Sequence, residues 1–400
     1  MGILAILVAF AFVAAACGGD DDSGSSSAAS DTSSDSSSDS SSDSSSDSSS
    51  DSSSDSADSS SDTVELTTTG DTRVTPREEM GWVGVLPAEK SQSGLEVDFS
   101  IFEGKTIGVI RVLQVPEATI QTEVCAPTVE ANGGTLDIVD ANFDPTLALQ
   151  AGETFLARGD DAIWNVSNSG AVLRPIIDEM NNLGKPFVGT YTFDQPGSID
   201  IKEHDWGVTP LLLQIIGYEM DSKGKLGIAI LPGIETLDVR THMVDAVIGY
   251  SYPDIEVVEI IGDGTVEGFR AATEAALQAH PDIKAIYSHW DVPAAGVVQA
   301  LEDAGKIGDV FVSSYTGDEE TGFEMMRQGQ IQTTVAAANS QIGAIACEYL
   351  ALALSGVPLP EHTLMTATII QPGQEPPAAG TGGYFNPPPI YKTTKLVTDY

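Results

Sequence analysis

Residues 283–317 read IKAIYSHWDVPAAGVVQALEDAGKIGDVFVSSYTG. Ile283 to Tyr287 is an apolar run of strand length, broken by His289-Trp290-Asp291. Val292 to Ala304 is apolar at helical spacing and stops at Gly305. Val310 to Val312 is a second apolar run, ending in Ser313-Ser314-Tyr315-Thr316. Strand, helix and strand, with polar residues where each strand ends, is the pattern of a parallel crossover unit. Open parallel sheets bind ligands just beyond the carboxyl ends of their strands. Trp290, Asp291, Tyr315 and Thr316 stand at such ends.

The same alternation extends both ways. Upstream, strands are expected at Thr106–Ile110, Leu136–Val139, Ala162–Trp164, Pro186–Gly189, Leu226–Leu231 and Val257–Ile261. Helices fall between them, at Glu117–Ala131, Thr146–Arg158, Val172–Leu183, Val208–Met220, Leu237–Ile248 and Val266–Ala279. Downstream come a helix at Glu320–Arg327, a strand at Gln332–Ala336, a helix at Ile342–Leu354 and a last strand at Thr366–Ile370. Alternating strands and helices give parallel sheets with right-handed crossovers. This many units exceeds one compact sheet, so the fold class is α/β with two doubly wound, Rossmann-like parallel-sheet lobes.

The chain has 400 residues and a formal net charge of −41. That balance argues against nucleic acid, which needs a basic face, and against a polybasic membrane patch. Ile3 to Ala16 is an uncharged apolar run, short for a membrane span and suited to a signal-peptide core. It ends Ala14-Ala15-Ala16-Cys17, small residues before a Cys, as in the lipobox of bacterial lipoproteins. No Lys or Arg precedes the run, so a simple cleaved signal stays open beside lipidation of Cys17. Residues 18–62 are almost wholly Ser and Asp, a composition that cannot bury a core and reads as a disordered spacer. Residues 63–103 form an arm without clear periodicity, expected to pack on the main body. Residues 373–400 form a Pro/Gly-rich tail, expected to be irregular. Cys125 and Cys347 both fall on expected helices and read either as buried free thiols or as one extracytoplasmic disulfide.

No nucleophile elbow, P-loop or dinucleotide fingerprint is present. The five His residues show no metal-binding pairing. Catalysis, metal and cofactor are therefore not expected, though a surface-tethered enzyme stays a rival reading. Strand ends instead supply Arg111, Gln114, Asn165, Tyr191, Asp263, Trp290, Asp291 and Tyr315, with Arg240 at a helix start. Asp291 also suits a helix N-cap. Aromatic faces stack on sugar C–H groups, and Arg with carboxylates binds adjacent hydroxyls.

Several segments resemble the ribose-type periplasmic binding proteins, the solute receptors of sugar ABC importers. They are GKTIGVI from Gly104, NVSNSGAVLRPIIDEMNNLGKPFV from Asn165, the segment around Arg240, HPDIKAIYSHWDVPAAGVVQALEDAG from His280, and NSQIGAIACEYLALALSG from Asn339. The resemblance implies two lobes joined by a three-crossover hinge, with an N-terminal lobe of 104–204 plus 338–364 and a C-terminal lobe of 205–337 plus 365–372. Asn165 and Arg240 match family sugar-contact positions, and Tyr315 replaces an aromatic there. Trp290, Tyr191-Thr192, Thr316, Ala337 and the first loop, Val112-Leu113-Gln114-Val115, depart from the family pattern. The implied protein is a monomeric, lipid-anchored receptor that passes a sugar or a sugar-like molecule to an ABC permease. A nucleoside, polyol or signalling molecule is the alternative ligand.

Overall fold

The computed structural model describes residues 83–193, 195–316, 321–365 and 367–376, together with the short strands 74–75, 384–385, 390–392 and 396–397. Cys17, the Ser/Asp segment 18–62, residues 63–73 and 76–82 of the arm and most of the tail lie outside the described residues. Two parallel sheets dominate the body.

The first sheet contains β1 (Thr106–Arg111), β2 (Thr135–Asp140), β3 (Ala162–Val166), β4 (Phe187–Thr190), β5 (Ile199–Glu203) and, further along the chain, Ile390–Lys392 and His362–Met365. Its order is Ile390–Lys392, His362–Met365, β5, β4, β3, β1, β2, and every pairing is parallel except that of Ile390–Lys392. All residues of β3 and β4 are buried, as expected for strands covered on both faces. Helices α1 (Pro116–Ala131), α2 (Pro145–Arg158) and α3 (Arg174–Asn182) connect the strands. The cap of α2 is local chemistry: Asp144 accepts from Thr146 N at 2.8 Å, Pro145 sits in the first turn, and left-handed Gly159 ends the helix.

The second sheet is β6 (Lys223–Ile230), β7 (Asp254–Ile261), β8 (Ile283–Ser288) and β9 (Phe311–Ser313), all parallel, in the order β9-β8-β6-β7. Helices α4 (Asp205–Glu219) and α5 (Glu235–Ser251) cover one face, α6 (Val266–Ala279) and α7 (Asp291–Asp303) the other. After α8 (Gly322–Arg327) comes β10 (Thr334–Ala336), then α9 (Asn339–Leu354), which packs against α1 on the first lobe. The chain closes through β11 (His362–Met365) in the first sheet and β12 (Thr368–Ile370), which pairs antiparallel with β10. The backbone therefore passes between the lobes at Glu203–Asp205, at Ala336–Asn339 and at Met365–Thr368.

Four sequence expectations change. Strand β5, absent from the sequence reading, is wholly buried although it reads IDIKE. Its charges are paired inside: Lys202 Nζ lies 2.8 Å from Asp200 Oδ2, and Asp200 Oδ1 accepts from Thr192 N at 2.9 Å. The strand expected at Thr366–Ile370 is β12, and it is preceded by β11, a further strand absent from the sequence reading that belongs to the other sheet. The tail is not simply irregular, because Ile390–Lys392 adds an edge strand to β11, whose unpaired backbone offers it hydrogen bonds. Asp291 is the first residue of α7 rather than its N-cap. Trp290 takes that place without a side-chain cap bond, and the Asp291 carboxylate accepts from Ser314 Oγ instead.

Cys125 on α1 and Cys347 on α9 form a disulfide with Cα atoms 5.2 Å apart, which decides against free thiols. Beside it the arm docks: Leu86, Val97, Phe99 and Phe102 join the same core as α9. The buried Glu348 of α9 accepts from Gln92 N at 2.7 Å and from Ser93 N at 2.7 Å.

Candidate functional site: the interlobe cleft

A pocket of about 580 Å³, open mouth included, lies between the lobes at the carboxyl ends of the strands. The first lobe contributes Val112 and Val115 from the loop after β1. From α1 come Glu117, Ala118 and Gln121, and from strand ends Phe143, Ser167 and Tyr191. The second lobe contributes Ile234, Thr236, Leu237 and Arg240 around the start of α5, then Trp290 and Thr316. Asn339 opens α9 at one crossover.

The backbone around this pocket is bent in an unusual way. Phe143, Ser167, Tyr191 and Thr316 have φ of 59°, 64°, 60° and 78°. These four end β2, β3, β4 and β9 in the left-handed region that non-glycine residues rarely occupy, and Thr316 is also β-branched. Such conformations persist only where the surroundings enforce them, and they concentrate at functional sites.

The lobes touch across the cleft. Glu235 of α5 accepts from Ser169 Oγ at 2.9 Å, Gly170 N at 3.3 Å and Ala171 N at 3.4 Å. Desolvation raises the Glu235 pKa despite these donors. Thr316 Oγ1 donates to Glu117 Oε1 at 3.3 Å. Phe143 leans over Gly264, where a Cβ would lie 3.2 Å from its ring; Gly264 also has a φ of 89°. The structure is thus a closed arrangement.

Behind the pocket sits a buried charge cluster at the first crossover. Arg240 Nε donates to Asp205 Oδ1 at 2.8 Å and Nη1 donates to the His289 carbonyl at 2.6 Å. Arg240 Nη2 is 3.6 Å from Glu203 Oε2, and the guanidinium stands 3.6 Å above the Tyr315 ring. Desolvation opposes the charge of Arg240, but Asp205 foremost keeps it firmly protonated. Two carboxylates share this one cation. Burial pushes Glu203 up to about 7, with Arg240 pulling it down and Asp205 pushing it up. Burial pushes His289 down to about 3, so it is neutral, and neither of its ring nitrogens has a hydrogen-bond partner.

The residues expected at the site separate into two groups. Tyr191, Arg240 and Trp290 line the pocket. Arg111, Gln114, Asn165, Asp263, Asp291 and Tyr315 do not. Arg111 is held in a two-pronged ion pair with Asp140 at 2.6 and 3.0 Å. Gln114 is exposed. Asn165 donates to Asn168 O at 2.9 Å and Thr192 Oγ1 at 3.1 Å, and accepts from Asn168 Nδ2 at 2.9 Å. Asp263 is exposed and accepts from Thr265 N at 2.9 Å and Thr265 Oγ1 at 2.6 Å. Asp291 is bound to Ser314, and Tyr315 is fully buried beneath Arg240. The sequence reading missed Glu117, Gln121, Phe143, Leu237 and Asn339. Glu117 and Gln121 carried a signal, being one turn apart in the helix that follows the first strand.

A cleft walled by the strand ends of two parallel sheets, with three crossovers joining them, defines a hinged two-lobe fold. The chain belongs to the periplasmic binding protein domain family, whose model matches residues 119–357. It is similar to the D-allose-binding periplasmic protein of Escherichia coli (strain K12), 46% identical over 68 residues, which are 17% of this chain and 22% of that protein. It also resembles the ribose import binding protein of Bacillus subtilis (strain 168), 24% identical over 65% of this chain and 83% of that protein. The chain aligns with only about a quarter of the length of the first curated relatives, 22% and 26%. Among solved structures, a Bacillus halodurans solute-binding protein with bound myo-inositol superposes with TM-score 0.62 at 21% identity, covering 68% of this chain and 95% of that one. An Actinobacillus succinogenes solute-binding protein with bound D-allose gives TM-score 0.61 at 21% identity, covering 68% and 98%. These likenesses establish the type 1 periplasmic binding protein fold.

Proposed function

We propose that this chain is an extracytoplasmic solute-binding receptor of an ABC importer, holding a sugar or sugar-like small molecule between its lobes. The observation that carries the reading is the closed cleft itself. Both lobes wall it, and four strand-end residues hold left-handed backbone around it. A ligand that touches both walls favours the closed state, because contacts to one lobe alone do not discriminate open from closed. Tyr191, Trp290 and Arg240 are the expected site residues that line the cleft, and Glu117, Gln121 and Asn339 join them. In this reading the lobes are 104–204 with 338–364 and 205–337 with 365–372.

In this reading Cys17 carries the lipid anchor, the Ser/Asp segment spaces the monomeric receptor from the membrane, and a permease receives the ligand. No covalent chemistry is assigned to the chain. Family membership and the disulfide are consistent with an extracytoplasmic location.

A thermal-shift screen of the purified chain against sugars, polyols, nucleosides and amino acids tests this. A ligand at a hundred times its dissociation constant adds about 2.7 kcal/mol to stability. A stabilising hit abolished by Trp290→Ala supports the receptor. The absence of any hit, with consumption of one compound, turns the reading toward an enzyme.

A further inference from the structure

We propose that the cleft selects an uncharged amphipathic ligand, a ring bearing hydroxyls with an apolar substituent, over bare sugars and over anionic sugars. This deepens the receptor reading and rests on it.

Three observations carry it. The first concerns charge. Arg240 is the one cation among the described lining residues, and its guanidinium already serves Asp205, the His289 carbonyl and Glu203. Near the strand ends, Arg111 is paired with Asp140 and Lys202 with Asp200. Among the described lining residues, a phosphate or carboxylate entering the cleft meets no uncommitted positive group and faces the Glu117 carboxylate.

The second is the distribution of polar groups. They gather where α1 meets α9. Gln121 is 1% exposed; its Nε2 donates to Glu117 O at 3.1 Å and to Asn339 Oδ1 at 3.2 Å, and its Oε1 has no partner. Asn339 Oδ1 also accepts from Tyr191 OH at 3.5 Å. An acceptor-rich end of this kind receives hydroxyl donors from one edge of a ring.

The third is what lies opposite. Val112, Val115 and Ala118 on one lobe face a cleft whose other wall includes Ile234, Leu237 and Trp290. Trp290 is fixed edge-on against Phe269 at 5.6 Å between centroids. A hexose buries hydroxyls all round its ring, and those against these side chains lose water without gaining a partner. An alkyl, alkylthio or base substituent fits that wall instead.

Calorimetric titration of the full chain decides the matter, with ribose, glucose, 5-methylthioribose, adenosine and ribose 5-phosphate as probes. We expect 5-methylthioribose or adenosine to bind at least tenfold more tightly than ribose and glucose, and ribose 5-phosphate not to bind. Gln121→Leu should weaken the substituted ligand about tenfold, measured on a variant shown by circular dichroism to be folded at the titration temperature. Leu237→Asn should shrink the gap between substituted and bare pentose below threefold; a gap that survives Leu237→Asn overturns the apolar wall. Ribose, glucose or ribose 5-phosphate binding as tightly as the substituted compounds overturns the inference and leaves the receptor standing. A failure of every probe, together with an empty thermal-shift screen, overturns both.

Discussion

Replacing Arg240 with Met should damage the fold more than it damages a ligand contact. The side chain is 2% exposed and is the single cation between Asp205 and Glu203, both within 1% of complete burial. Met keeps most of the volume and removes the charge, so two carboxylates remain buried with no counter-ion. Removing one partner of a buried ion pair typically costs about 3–5 kcal/mol. The cation–π contact with Tyr315 adds to the loss, about 0.5–2 kcal/mol. In a two-lobe body a loss near 4 kcal/mol lowers the melting temperature by roughly 10 °C. The penalty should depend on pH. Glu203 is already held near 7 beside Arg240, and without the guanidinium it keeps its proton to higher pH, so the stranded charge shrinks in acid. Urea unfolding of native and Arg240→Met proteins at pH 5, 6, 7 and 8 measures this. We expect a large loss at pH 8 and a visibly smaller one at pH 5. A difference under about 1 kcal/mol at every pH would refute the pinning role, and a large but pH-independent loss would refute the part assigned to Glu203.

Glu235→Gln should weaken closure, since a neutral amide replaces a carboxylate that accepts three donors from the other lobe. Losing about 1–2 kcal/mol of charge-assisted bonding raises the apparent dissociation constant roughly 5–30-fold, and an unchanged affinity and solution scattering profile would remove the latch. Cys125→Ala with Cys347→Ala opens a loop spanning a sequence separation of 222 residues and should cost about 2–5 kcal/mol in urea unfolding. Glu203 makes stability fall as pH rises. Its folded value, about 7, lies above the ordinary glutamate value of 4.5, so its stabilising contribution is fully present below pH 4.5 and is lost as pH rises through 7. Glu203→Gln should flatten the melting-temperature slope between pH 5 and 7.5; an unaltered slope counts against the raised value. Thr316→Gly relieves a φ of 78° and should hold or raise the melting temperature while lowering ligand affinity; a fall in melting temperature would argue against strain there.

The alternation of apolar runs and amphipathic helices was enough for parallel sheets and two lobes, because burial on both faces leaves continuous apolar strands and one-sided helices in the sequence itself. Residues 283–317 gave β8, α7 and β9 almost intact. Strand ends also localised the cleft, and Tyr191, Arg240 and Trp290 line it. What the sequence could not carry is the partner of each polar side chain. Arg111 and Asn165 look like ligand contacts from position alone, yet Asp140 and Thr192, distant in the chain, occupy them. The IDIKE strand looks solvated because Glu203 is matched only when it meets Arg240, distant in the chain, while Asp200 and Lys202 pair within the strand itself. The disulfide needed two helices 222 residues apart to be packed side by side. Local periodicity thus determined the elements and their order. Only tertiary packing decided which charges are satisfied internally, and hence which groups are left to face a ligand.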